Sequence, residues 1–132
     1  WHEVTLQVPF HDLDPLQVVW HGNYFKYFEI ARAALFDSLG VDLYSTHISS
    51  NIVFPIVRTS TKHLRPLRFR DTFICRATLR DARVKIVMDF QIRLAAGNEL
   101  CATATCEQVA VKVPEMELLM AIPKNIRTQL GF

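Results

Sequence analysis

Residues 24–39, from Tyr24 to Leu39, form the one long stretch with helical periodicity, and the segments on either side alternate with period two. At about 100° per residue, Tyr24, Tyr27, Phe28, Ala31, Ala34, Leu35, Ser38 and Leu39 fall on one side. Lys26, Glu29 and Asp37 cluster opposite, while Phe25 and Phe36 widen the apolar arc. So wide an arc predicts a helix that is mostly buried. Asn23 is the candidate N-cap and Gly40 the residue that ends the helix.

The flanking segments read as strands. Val4, Leu6, Val8 and Phe10 alternate with polar or turn residues, with Pro9 at an edge. An extended segment is expected over residues 52–64 and strands over 72–80, 84–94 and 100–111, with Ala96-Gly97-Asn98 as a hairpin loop. The cleanest alternation is Val84, Ile86, Met88, Phe90, Ile92 and Leu94. Pro123 opens a short last helix over residues 124–130. One helix with one antiparallel sheet predicts an α+β fold in which the sheet wraps around the helix. The other sheet face and its edges then call for a partner subunit, a homodimer or homotetramer.

The 132 residues suit a single domain, residues 1–132. Half of them are hydrophobic and 21% charged, which excludes a disordered chain. Asp42 and polar residues interrupt the longest uncharged stretch, so no membrane segment is expected. Cys75, Cys101 and Cys106 form no C-x-x-C pair and read as reduced core thiols. With no signal-peptide pattern in view, these features predict a cytoplasmic protein. Charge is uneven: residues 58–93 carry ten Lys/Arg against three acids, a net +7, and the remainder carries −5. Such a face is either a solvated sheet surface or a phosphate-binding one. Nucleic acid is not the expected partner, because the aromatic residues occupy inward or helical positions and make no stacking platform.

No nucleophile elbow, zincin, P-loop or dinucleotide motif occurs. The histidines (2, 11, 21, 47 and 63) lack metal-ligand spacing, so no metal or cofactor is expected. What remains is the polar entry to the helix, His11-x-x-Asp14 followed by His21-Gly22-Asn23-Tyr24. Amide N–H groups at a helix start are unsatisfied and carry partial positive charge, so they can hold a carbonyl oxygen as negative charge builds on it. Asp14, folded toward that point, would serve as general base or nucleophile. Asx turns are the alternative role for Asp12 and Asp14, and capping or core packing the alternative for His21.

The run Asp12-Leu-Asp14-Pro-Leu-Gln-Val18-Val19-Trp20-His21-Gly22-Asn23-Tyr24, continuing through Phe28-Glu29-Ile-Ala31-Arg32, resembles the helix-entry motif of the hotdog-fold thioesterases of the 4-hydroxybenzoyl-CoA thioesterase type. Lys62-His63-Leu64-Arg65-Pro66 and the following Asp71 resemble a second, less specific segment of that family. The resemblance implies a hotdog fold, a five-stranded antiparallel sheet wrapped around one long buried helix. It also implies hydrolysis of an acyl-CoA or acyl-carrier-protein thioester to free acid and thiol. The family's catalytic carboxylate falls on Asp14 and its carbonyl-polarising amide on His21, with Gly22, Asn23 and Tyr24 in the binding site. Arg65, Arg68 and Arg70 would then meet the CoA phosphates through guanidinium forks. The family's active sites lie at a dimer interface. Gln17 stands where the motif has Gly. Were that position left-handed, Gln would force the loop to run differently, which leaves a non-hydrolytic thioester binder as the alternative. Glu29 and Arg32 read as an i,i+3 ion pair. A hotdog dehydratase lacks its H-F-P-G helix entry here.

Overall fold

Period-two alternation produces the expected sheet, with ends set by proline and turn residues. The computed structural model describes every residue from Trp1 to Phe132. In chain order the elements are β1 (His2–Gln7), α1 (Asn23–Ser38), α2 (Leu43–Ser50), β2 (Ile52–Val53), β3 (Ile56–His63), β4 (Thr72–Asp81), β5 (Ile86–Leu94), β6 (Leu100–Gln108), β7 (Val111–Lys112), β8 (Glu117–Leu118) and α3 (Lys124–Gln129). The main sheet has the order β1-β4-β5-β6-β3, antiparallel throughout.

One face of this sheet packs on α1. Phe28 stacks on Phe90 of β5 at 4.8 Å between centroids, and Tyr27 lies 4.9 Å from Phe73 of β4. Tyr24, Ala31 and Leu35 are buried with them. Small residues on β4 and β6 (Cys75, Ala77, Ala102, Ala104 and Cys106) let the helix approach the strands closely. All three cysteines are free and buried, and burial pushes the Cys75 thiol up to about 12.

Several expectations need correction. Only one side of α1 is covered, since the sheet supplies a single layer: Phe25 is 46% exposed and Ile30 41%. Its N-cap is Gly22, and the Asn23 side chain instead donates to the Asp12 carbonyl at 3.0 Å. β1 ends at Gln7 because Pro9 cannot donate to a ladder, and an exposed Phe10 opens a 3-10 turn that runs to the buried Asp12. Pro55 divides the 52–64 segment into β2 and β3. Val84 precedes β5 and is exposed. Helix α2, capped by the Asp42 carboxylate on the amides of Tyr44 and Ser45, had no clear apolar periodicity to announce it. Nor did the small β2-β7-β8 ribbon.

The chain between β1 and α1 is held by Asp12, whose carboxylate is 2% exposed. Lys26 Nζ donates to Oδ1 at 2.6 Å and the Tyr27 hydroxyl to Oδ2 at 2.6 Å. The Asp12 carbonyl also accepts from the Trp20 amide at 3.0 Å. Burial raises the Asp12 carboxyl, but the hydrogen bonds and charge from Lys26 and Tyr27 outweigh it and hold the group below its usual range. A carboxyl depressed by folding stabilises the protein above its unfolded value of about 3.9, and that contribution is lost as pH falls through the folded value. Asp12→Asn should therefore cost about 3 kcal/mol at pH 7. Urea titrations should show the gap between wild type and variant closing on acidification below about pH 4. An equal gap at both pH values would remove Asp12 from this role.

Candidate active site

Asp14 sits in a tight loop built by its own backbone. Its amide donates to the Val18 carbonyl at 2.9 Å, and its carbonyl accepts from the Gln17 amide at 3.0 Å. One carboxylate oxygen, Oδ1, accepts from the Leu16 amide at 2.8 Å, an Asx turn that orients the side chain. Gln17 has φ 64°, so it adopts the left-handed conformation rather than rerouting the loop. That strain of about 1 kcal/mol is offset by the Asp14–Val18 closure around it. The loop is pinned further by the Val19 amide on the Leu67 carbonyl at 2.8 Å and by a bridge between Val18 and Arg68.

A cleft of about 270 Å³ opens beside this loop. Asp14, His21 and Tyr24 form one wall, and His63, Arg65 and Pro66, at the end of β3 and just beyond it, form the other. The start of α1 contributes there. The amides of His21 and Gly22 have no acceptor within the chain, and the helix dipole adds partial positive charge at the same point. Gly22 permits a close approach: a Cβ there would meet Trp20 ring carbons at 2.3–2.8 Å and push the indole aside. Burial raises the Tyr24 hydroxyl, which stays a protonated donor at neutral pH. Arg65 is paired with Glu99, which fixes its guanidinium at the cleft mouth.

Of the sequence-derived residues, Asp14, His21, Tyr24 and Arg65 meet in this cleft. Gly22 and Asn23 belong to the same helix start without forming its wall, and Asn23 is spent on the Asp12 carbonyl. Arg68 and Arg70 are not brought into the cleft. Both are exposed, Arg68 at the bridge to Val18 and Arg70 with its guanidinium 4.9 Å from the Phe69 ring centroid. Glu29 and Arg32 are paired as expected. Sequence reasoning missed His63, whose ring lies edge-on to Tyr24 at 4.6 Å. Nothing in its spacing pointed to Tyr24, because only the sheet register joins the end of β3 to the start of α1. No group of three or more His, Cys, Asp or Glu side chains is placed to hold a metal ion.

With this geometry in view, similarity to known proteins is informative. The sequence model of the thioesterase-like superfamily matches residues 8–130. A Bacillus subtilis protein, provisionally named acyl-CoA thioesterase YneP, is 29% identical over 107 residues, covering 80% of this chain and 76% of its own. The fold is shared with a 1,4-dihydroxy-2-naphthoyl-CoA thioesterase from Synechocystis at a TM-score of 0.89 and 21% identity, over 98% of this chain and 95% of that one. A 4-hydroxybenzoyl-CoA thioesterase carrying an Asp-to-Asn substitution, in complex with 4-hydroxybenzoyl-CoA, superposes at a TM-score of 0.82 and 20% identity, over 98% and 99% of the two chains. No helix here is long and apolar enough to cross a membrane. The five-stranded sheet packed along one long helix is thus the expected hotdog fold, and the chain belongs to the thioesterase-like superfamily.

Proposed function

We propose that this chain hydrolyses acyl-CoA thioesters to a free acid and CoA, with Asp14 as the reacting carboxylate. The observation that carries this reading is the convergence on one cleft of the Asp14 carboxylate and a helix start whose His21 and Gly22 amides lack acceptors. A thioester carbonyl placed there is polarised by those amides, which gain strength as its oxygen becomes negative. Asp14 then either attacks the carbonyl carbon, expelling the CoA thiolate and leaving a mixed anhydride for water to open, or takes a proton from an attacking water. The Leu16 amide holds one oxygen of Asp14 and leaves the other to react. Arg65 lines the cleft and Arg68 is bridged to its Val18, so CoA phosphates would lie on that side, with Arg70 two residues further on.

The name of the Bacillus relative supports a CoA ester over a carrier-protein ester. The binder alternative rested on Gln17, and a Gln17 that adopts the left-handed turn removes its main support. A homodimer completes the reading. Strand β3 is the outer edge of the sheet, exposing Ile56 and Val57 at its start and carrying His63 at its end, so a second copy paired along its length would reach the cleft.

Asp14→Asn should lower kcat about 10²–10⁴-fold on a panel of short, medium, long and aromatic acyl-CoAs assayed by thiol release, with an unchanged melting temperature. Wild-type turnover in the variant would refute the assignment. Gly22→Ala should displace the Trp20 indole and lower kcat about 10-fold or more, read together from tryptophan emission and turnover. Arg68→Ala with Arg70→Ala should raise KM for CoA esters more than it lowers kcat. An unchanged KM would place the phosphates elsewhere.

A further inference from the structure

One side chain in the Asp14 cleft has no part in the reaction so far. His63 closes β3, is exposed, and lines the cleft from the wall it shares with Arg65 and Pro66. Its position is fixed on both sides. The Leu64 and Arg65 amides donate to the Cys101 carbonyl at 2.8 and 3.0 Å, which locks the backbone behind the ring. In front, the Tyr24 ring meets the imidazole edge-on at 4.6 Å and 88°. The Asp14 loop is tied to the same segment through the Val19 amide on the Leu67 carbonyl and the Val18–Arg68 bridge. No hydrogen bond or ion pair within the chain occupies the imidazole nitrogens of His63. An imidazole so placed, reached by solvent and free at both nitrogens, can take a proton from a molecule in the cleft.

The nucleophilic route creates a need for such a group. When an Asp14 oxygen attacks the thioester carbon, a C–O bond forms and the C–S bond breaks, its electron pair leaving on the CoA sulfur. Asp14 is then half of an anhydride, and a carboxylate bonded to the acyl carbon no longer accepts a proton from water. The water that opens the anhydride needs a second base. The groups lining the cleft leave few choices. Burial raises the Tyr24 hydroxyl, which stays protonated, and Arg65 is a cation paired with Glu99. The imidazoles of His21 and His63 remain. His21 stands on the Asp14 wall, with its ring against Trp20 at 5.3 Å between centroids. That wall is taken up by the anhydride and by the amides that hold its carbonyl oxygen. His63, across the cleft, borders the space left for water.

We propose that His63 is the base of a second step, in which water opens an acyl–Asp14 anhydride. An imidazole nitrogen takes a proton from water as the water oxygen attacks the acyl carbon. The anhydride C–O bond breaks, its electron pair returns to the Asp14 carboxylate, and the free acid leaves. The imidazolium then passes its proton to the CoA thiolate or to solvent. This assignment rests on Asp14 being the reacting carboxylate of a thioesterase, and it selects the nucleophilic route over direct activation of water by Asp14. Rapid-quench single turnovers of the full chain, with the acyl-CoA of the panel that it cleaves fastest, measure thiol and acid separately. His63→Gln should release one equivalent of thiol per site at the wild-type rate and slow acid formation at least about 100-fold. Mass spectrometry should then find the protein heavier by the acyl group, on Asp14, and hydroxylamine should discharge it. Added imidazole should restore acid formation in His63→Ala without changing thiol release. Equal slowing of thiol and acid, wild-type acid formation in His63→Gln, no acyl-protein, or no rescue by imidazole would overturn the proposal alone, provided that Asp14→Asn suppresses thiol release. Thiol release that Asp14→Asn leaves intact, or no turnover by the wild type, would overturn the Asp14 reading and the proposal together.

Discussion

The site depends on one buried carboxylate that is not itself in the cleft. Asp12 binds Lys26 and Tyr27, two residues of the first turns of α1, while its carbonyl holds Trp20 and Asn23. A loop that would otherwise be free is thereby closed against the helix start at both of its ends. Asp14 follows two residues later and inherits that position, so the neighbouring Asp that anchors and the Asp that faces the cleft divide two tasks between them. The charge on Asp12 is tolerated at 2% exposure because both of its oxygens are occupied and its cation sits half in solvent.

Strain and close approach are concentrated in the same loop. Gln17 is held left-handed at φ 64°, and Gly22 leaves space that the Trp20 ring fills to within 2.8 Å of where a Cβ would stand. Neither feature serves the core, which is built by α1 against β4, β5 and β6 through contacts such as Phe28 on Phe90. Rigid, well-packed elements thus carry a loop whose geometry they over-determine, and that arrangement lets an unfavourable backbone conformation persist where donors and a carboxylate must converge. Arg32 shows the opposite case, a buried cation enclosed by the core, paired with Glu29 and set against the Phe90 ring.

Much of this was legible in the residues. The period-two runs from Thr72 to Gln108 located β4, β5 and β6 to within a few positions, because one buried face forces strict alternation. The helix and its buried face from Tyr24 to Leu35 were legible for the same reason. The D-x-D and His-Gly-Asn-Tyr spacing indicated Asp14 and His21, and the two line one cleft. Other features were not legible. The exposure of Phe25 and Ile30 follows from the sheet covering only one side of the helix, which composition cannot report. Helix α2 is mostly polar and depends on its Asp42 cap and on packing rather than on an apolar stripe.

The amino-acid sequence by itself determined which segments alternate, where proline and glycine end them, and which polar residues stand at the helix entry, because all of these are local consequences of side-chain size and backbone freedom. Tertiary structure alone decided that Asp12 and not Asp14 is buried, that His63 meets Tyr24, that Gln17 accepts a left-handed turn, and that Arg32 and Gln108 share a pocket across 76 residues of chain. Those outcomes rest on contacts between residues far apart in sequence. Their free energies come from burial and hydrogen-bond geometry, which exist only once the sheet has closed on the helix.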